Sequence, residues 1–368
     1  ISGQLSRMSP SAHQAPASAP ITSRESLSSS ASTTAATSAT ATRAEATAAE
    51  NTRTSVARRA CHVLPAMPTR RQIENIRQRR KWNKLSAPHH EKRAQLAVYS
   101  NKLVAVWDSG GSVSSIQQTS DLKTWHSIDL PHHYKVSSPS LASHDGKLYM
   151  HCRVQTSGGA EDRHAILQYS ETEQGAACGQ WTELLDVPYH NHDRCTMHVC
   201  DDAISLFGGY ASFVSHSHVS TYSLVSKQWR SSNHDSASRS LPLLPKPSRR
   251  ASLVKLTNSM YIVGGPEACY LKNHDGGWVT SNPPHGIMLA SAAACALSDH
   301  SMVICENGES GTTRCVVHDT LSGQVYPLPD SPRSLFSNPS LTLFGSTLVL
   351  AVSCLVGSGD LYTLDMSV

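Results

Sequence analysis

One phrase recurs through this chain from Trp82 to its end, and it restricts the fold more than any other feature. It is an apolar stretch broken by a polar turn, then a Gly-Gly pair or a degenerate version, then a strand, then an aromatic residue followed by Leu and Pro. The first copy reads Leu96–Tyr99, turn Ser100-Asn101-Lys102, Leu103–Trp107, Gly110-Gly111, Ile116–Thr119, Trp125 and Leu130-Pro131. The second carries Gly158-Gly159 and Trp181, the third Gly208-Gly209 and Trp229, the fourth Gly264-Gly265 and Trp278. The fifth keeps only Gly308 and has Tyr326 in the Trp place. The anchors at 125, 181, 229, 278 and 326 stand about 50 residues apart, and a unit of that size buries its apolar faces only by stacking on its neighbours. The residue types fit this role. Apolar strands pack on both faces, a Gly pair permits close backbone approach, and Trp supplies a large buried area between units.

The sixth copy has Leu348–Val352 and Leu361–Leu364 and then stops, while Trp82, Leu85 and Pro88 reproduce the missing ending at the other end of the repeat region. Lys81–Ser86 is therefore expected to be the outer strand of the last unit, closing a circle by pairing the two ends. With its Gly-Gly pairs, Trp anchors and period, residues 81–368 resemble the kelch-repeat family of β-propellers. The resemblance implies an all-β, six-bladed kelch-type β-propeller closed by an N-terminal outer strand. Its blades would fall near 95–131, 138–188, 195–245, 250–284, 289–329 and 338–368 plus 81–88. The expected structural residues are Trp82, Trp125, Trp181, Trp229 and Trp278 with Gly110, Gly111, Gly208, Gly209, Gly264 and Gly265.

The residues before the repeat are of another kind. Of the first 60 residues 37 are Ala, Ser or Thr, with no apolar period, so residues 1–69 are expected to be a disordered arm. Residues 70–80 read as a basic linker or short helix, with Ile73 and Ile76 at helical spacing. Residues 1–80 hold 11 Arg and 4 Glu, whereas residues 81–368 hold 21 Lys+Arg against 24 Asp+Glu. The basic character belongs mainly to the arm, which argues against the repeat region binding nucleic acid through overall charge. The longest apolar runs, such as Thr347–Val356, are too short to cross a bilayer. Ten Cys without a CxxC pair point away from zinc and disulfide scaffolds, and Cys295, Cys305, Cys315 and Cys354 fall in apolar strands. A cytoplasmic home is expected, with the nucleus as the alternative. Ile1 in place of Met leaves room for an upstream segment.

The segments between blades are rich in His and Arg: His89-His90-Glu91-Lys92-Arg93, His132-His133-Tyr134-Lys135, His190-Asn191-His192-Asp193-Arg194 and Lys246-Pro247-Ser248-Arg249-Arg250. Counting back ten residues from the second strand of each copy gives Arg93, Ser138, Arg194, Arg250, Ala292 and Asn338. In kelch proteins that bind acidic motifs, arginines in comparable places line the pocket. The resemblance thus implies a pocket anchored by Arg93, Arg194 and Arg250, and the His/Arg-rich inter-blade segments add His133, His192 and Arg249 to the expected partner-binding set. The planar guanidinium fork suits carboxylates and phosphates. His190, His192, Cys195 and His198 crowd together, but odd strand offsets face opposite ways, so no metal site is expected. No cofactor is implied either.

Enzyme motifs are poor. Ser120-Asp121-Leu122-Lys123-Thr124-Trp125 falls one residue short of a sialidase Asp box and lacks its Gly. No nucleophile elbow, P-loop or HExxH is present. The expected function is a non-enzymatic protein-interaction module that binds an acidic or phosphorylated partner segment, as the target-selecting part of a larger adaptor. The alternatives are a propeller-fold hydrolase or oxidase, and charge-driven binding of nucleic acid or anionic membrane through residues 58–84.

Overall fold

Among the described residues the recurrent apolar stretches form 24 strands, preceded by a single helix. The computed structural model describes residues 66–86, 93–109, 112–130, 134–156, 162–171, 179–188, 192–232, 241–265, 269–274, 277–287, 289, 292–307, 313–331, 337–353 and 359–367. Gly110, Gly111, His133 and all of the arm up to residue 65 lie outside them.

Helix α1 (Arg70–Arg79) starts at a capping box in which the Gln72 amide donates to Thr69 Oγ1 and the Thr69 amide to Gln72 Oε1. Its apolar stripe, Ile73 and Ile76, is buried in the core. Met67 packs there too, so the packed unit begins ahead of residue 70. Strand β1 (Asn83–Leu85) follows.

The remaining strands come in successive antiparallel meanders. The first holds β2 (Arg93–Tyr99), β3 (Lys102–Ser109), β4 (Ser112–Thr119) and β5 (His126–Ser127). The second holds β6 (Tyr134–His144), β7 (Lys147–Thr156), β8 (Arg163–Ser170) and β9 (Gln180–Val187). The third holds β10 (Thr196–Cys200), β11 (Ala203–Ala211), β12 (Val214–Ser223) and β13 (Trp229–Ser231). The fourth holds β14 (Ser252–Lys255), β15 (Met260–Gly264), β16 (Cys269–His274) and β17 (Gly277–Thr280). The fifth holds β18 (Ala293–Ser298), β19 (Ser301–Asn307), β20 (Thr313–Asp319) and β21 (Val325–Pro327). The last holds β22 (Ser337–Phe344), β23 (Thr347–Ser353) and β24 (Asp360–Asp365), and β1 supplies its fourth strand through the pairs Asn83–Thr363, Lys84–Tyr362 and Leu85–Leu361.

The sheet count corrects the expectation of six separate blades. Four sheets are four-stranded, whereas β2 to β9 form one eight-stranded sheet. A single residue pair, Ser112–Ser137 between β4 and β6, makes that join.

Core layers lie between consecutive meanders. Val104 and Val106 meet Leu148 and Met150; Tyr149 and Ile166 meet Met197 and Ile204; Phe207 meets Ile262. Val263 meets Ile304, Cys305 meets Leu350, and Val349 of the last meander returns to Leu103 of the first. The sheets therefore close on themselves as a ring, with β2, β6, β10, β14, β18 and β22 innermost, each beside the next. Second strands are covered on both faces, which is why Leu103–Trp107 and Leu348–Val352 read as unbroken apolar runs rather than alternating ones.

The aromatic anchors reach back onto the preceding meander. Trp82 Nε1 donates to the Pro329 carbonyl (3.0 Å) and Trp229 Nε1 to the Asp186 carbonyl (3.1 Å). The Trp278 ring stacks edge-on against Phe207 at 5.3 Å, Trp181 joins the layer between first and second meanders, and Trp125 the layer between last and first. Tyr326 instead joins the layer that contains α1.

Gly208 and Gly264 explain the glycine pairs. Gly208 has φ +66°, and a Cβ there would lie 2.0 Å from the Ser248 carbonyl oxygen. Gly264 has φ +92°, and its Cβ would lie 2.5 Å from the Ala292 carbonyl oxygen. The chain entering the next meander crosses the end of the second strand at these points. Gly208→Ala is expected to destabilise the fold by at least about 2 kcal/mol, through the left-handed backbone and the backbone collision together. A lower urea midpoint with an unchanged slope checks this.

Candidate functional site

At one end of the ring the inner strands open onto a cavity of about 150 Å³. Its polar lining includes Arg93, Arg194, Arg250, Asp108, Ser138 and Ser140. The three arginines expected to act together come from three different meanders, and the ring brings them to one place. Arg249 lies outside the lining, with its guanidinium carbon 4.4 Å from the centre of the Tyr210 ring. The Asn338 side chain and His133 lie outside the described residues.

His192 is a correction to the expected partner-binding set. It is fully buried, with Nδ1 donating to the Gly208 carbonyl at 2.7 Å and Nε2 at 2.6 Å from the Ser220 hydroxyl. It holds the Gly-Gly end of β11 in place rather than facing a partner. Ser252 is also committed inside the fold: its hydroxyl accepts from the Ala294 amide at 3.0 Å.

The backbone at the cavity repeats itself. Ser138, Arg194 and Arg250 have φ of 53°, 57° and 54°, the left-handed region, each two residues before an inner-strand hydroxyl, Ser138 at an irregularity inside β6 and the two arginines just ahead of β10 and β14. A non-glycine residue held there costs about 1–3 kcal/mol. The Arg250 amide donates to the Arg194 carbonyl at 2.8 Å, tying one turn to the next. Two residues on, hydroxyls stitch inner strands together. Thr196 Oγ1 donates to the Ala251 carbonyl (2.9 Å), Ser252 holds the Ala294 amide, and Ser340 Oγ accepts from the Leu96 amide (3.0 Å).

Three guanidiniums meet one carboxylate in the lining. Burial, then the guanidiniums of Arg194 and Arg93, push the Arg250 pKa down to about 9, while Asp108 works in the opposite direction. Arg250 remains charged at neutral pH. Arg194 Nε is buried without a hydrogen-bond partner among the described residues, and its nearest carboxylate oxygen, Asp193 Oδ2, stands 4.0 Å away. Asp108, opposite Arg93 in the β2–β3 register, is the carboxylate of the same lining. An unsatisfied buried donor in a cluster of like charges is a place where an anion gains more than it would in water.

Asp108 and the stitching hydroxyls were missed by sequence reasoning. Both left a trace. Asp108 puts a charge directly after the unbroken apolar run Leu103–Trp107. The hydroxyls recur in register as Ser138-Pro139-Ser140-Leu141, Arg194-Cys195-Thr196-Met197, Arg250-Ala251-Ser252-Leu253 and Asn338-Pro339-Ser340-Leu341.

No family model matches the chain, and no curated protein does. A solved structure titled "Structure of YjhT" matches over 75% of this chain and 95% of its own, with a TM-score of 0.53 and 11% identity. The closed ring of antiparallel meanders and this likeness agree. The fold is a β-propeller. The likeness bears on the propeller's architecture alone, and the Arg93–Arg194–Arg250 cavity rests on this chain's own residues. Among the propeller's described residues no three His, Cys, Asp or Glu side chains converge on a metal position, and no helix is long and apolar enough to cross a membrane. Asp121, in the Asp-box-like segment, closes a turn by accepting from the Lys123 and Thr124 amides at 2.8 and 2.7 Å.

The propeller also buries histidines in the neutral form. His151 stacks on His164 and faces Cys195 Sγ at 3.3 Å; burial holds its pKa well below the usual value. Burial likewise lowers His192 and His198 to about 4. Below about pH 6.5 the unfolded chain takes up protons that these groups refuse when folded, so the stability they contribute is present above that pH and is lost as pH falls toward 4. The urea midpoint is expected to drop steadily between pH 6.5 and 4.5, at up to about 1.4 kcal/mol per pH unit for each fully buried histidine.

Proposed function

We propose that this chain is a six-bladed, kelch-type β-propeller and that it works as a non-enzymatic binding module for an acidic or phosphorylated segment of a partner protein. Dividing the eight-stranded sheet at its single joining pair gives two four-stranded blades, hence six, and the Gly-Gly and Trp registers support the kelch type. The observation that carries the functional reading is the convergence of Arg93, Arg194 and Arg250 on one cavity, with Arg194 Nε unsatisfied. The volume favours a group rather than a whole ligand. Small-molecule sites run to roughly 300–1,000 Å³, whereas about 150 Å³ suits one carboxylate or phosphate carried by a longer chain. Guanidiniums bind such groups by paired, charge-assisted hydrogen bonds.

Panning a displayed random-peptide library on the intact protein tests the reading. Enrichment of Asp, Glu or phosphoresidues is expected, with capture lost on Arg250→Gln and weakened by salt. Enrichment with no acidic preference, or capture indifferent to Arg250→Gln, would sink it.

A further inference from the structure

The β11–β12 hairpin stands beside the arginine cavity and ends in an exposed aromatic residue. Phe213 is 92% exposed and Val214 58%. Ser212 and Phe213 form the two-residue turn, with φ of 49° and 66°. Both central residues at positive φ is the arrangement of a type I′ hairpin, which favours Asn and Gly. Two other tight turns meet the same demand with residues that suit it, Ser100-Asn101 and Asp145-Gly146. At the third tip a bulky aromatic occupies a left-handed position and gains no burial in this chain in return. Strained backbone and solvent-facing apolar surface coincide at this tip.

The base of the same hairpin holds the arginines. Tyr210, three residues before Phe213, lies under the Arg249 guanidinium at 4.4 Å and near that of Arg194 at 5.6 Å, and bridges to Asp193. The following inter-blade segment is fixed to the hairpin by Gly209 N donating to the Ser248 carbonyl (2.7 Å) and Ser248 N to the His216 carbonyl (2.9 Å). Phe213 lies three residues along the chain from Tyr210, a reach of at most about 10 Å.

We propose that the hairpin tip is a second recognition point for the partner segment: an extended peptide sets an acidic residue among Arg93, Arg194 and Arg250 and lays an apolar side chain, three or four residues away, on Phe213 and Val214. The spacing follows from the reach of the hairpin, since an extended peptide also advances about 3.3–3.6 Å per residue. The charge of the cavity selects the acidic end and the exposed ring the apolar one. This inference rests on the acidic-segment reading above.

The test uses acetylated, fluorescein-labelled peptides with one Glu-Glu pair and a Leu placed two to six positions away, each beside its Leu→Ser control, titrated by anisotropy onto the full chain. Leu at three or four positions is expected to tighten binding about tenfold over its control. Phe213→Ser should erase that advantage while leaving the control's affinity and the melting temperature unchanged or the latter raised. A Leu advantage that survives Phe213→Ser, or is absent at every spacing while Glu-Glu binding persists and depends on Arg250, overturns the two-point proposal and leaves the acidic-segment reading standing. Loss of all peptide binding removes both. Phe213-dependent adsorption to phosphatidylserine vesicles, without any Leu advantage for peptides, would also overturn it.

Discussion

Removing residues 66–86 is expected to leave the propeller without a cooperative unfolding transition at 25 °C. The deletion strips β1 from β24, so a central strand becomes an open edge, with the partners of Asn83, Lys84 and Leu85 left to water or to another chain. It also removes Ile73, Ile76 and Trp82 from the layer that they share with Val303, Cys305, Leu348 and Leu350. Burial of side chains of this size is worth about 1.5–3 kcal/mol each, and domains hold only about 5–15 kcal/mol in all. Two ion pairs go as well, Arg80–Asp365 at 2.8 Å and Lys84–Asp360 at 2.7 Å. The second matters more, because Asp360 is buried and its charge would lose a partner. Trp82→Ala alone should cost about 3–5 kcal/mol, as a large-to-small change in a core does. Circular dichroism and size exclusion check both variants. A truncated chain that melts sharply near the intact one's temperature would mean that the ring does not depend on the end-to-end strand.

Arg250→Gln is expected to move stability and binding in opposite directions. It removes a guanidinium pressed by burial and by Arg194 and Arg93, so the free protein should melt at a higher temperature, by about 1–3 °C for a gain on the order of 1 kcal/mol in a domain this large. The same change should weaken an acidic peptide at least tenfold. Arg250→Lys keeps the charge but loses the fork, and should recover little of the affinity. If the arginines merely capped loops, the Gln variant would melt lower and bind as before. Differential scanning calorimetry and anisotropy on the same preparations separate the two cases.

Much of the architecture was legible because the ring imposes the same demands on each meander. A carbonyl crossing the end of β11 or β15 admits only glycine, so Gly208 and Gly264 had to recur in register. A Trp that reaches the preceding sheet needs a fixed distance along the chain, and this gave both the period and the displaced ending at Trp82. The join between the first two meanders was invisible, since one pair of serines, 112 and 137, carries no pattern. At the cavity, position in the repeat located Arg93, Arg194 and Arg250, because equivalent positions converge on a ring's axis. The histidines misled. His192 sits in a sequence as polar as any surface loop, and only the Gly208 carbonyl and the Ser220 hydroxyl, 16 and 28 residues away, account for its burial. Composition reports which residues are polar and is silent about which polar groups have found each other.

The strand that locks the ring also sets a clock. Asn83 must wait for Thr363, 280 positions later, before their bond can form. At ribosomal speeds of about 5–20 residues per second that is roughly 15–55 s with the circle unclosed. During this interval each finished blade offers one face to the next and one to the surroundings. The unclosed chain exposes apolar surface of the kind that holding chaperones bind, and codon choices that slow the last hundred residues would lengthen the exposure without altering a single amino acid.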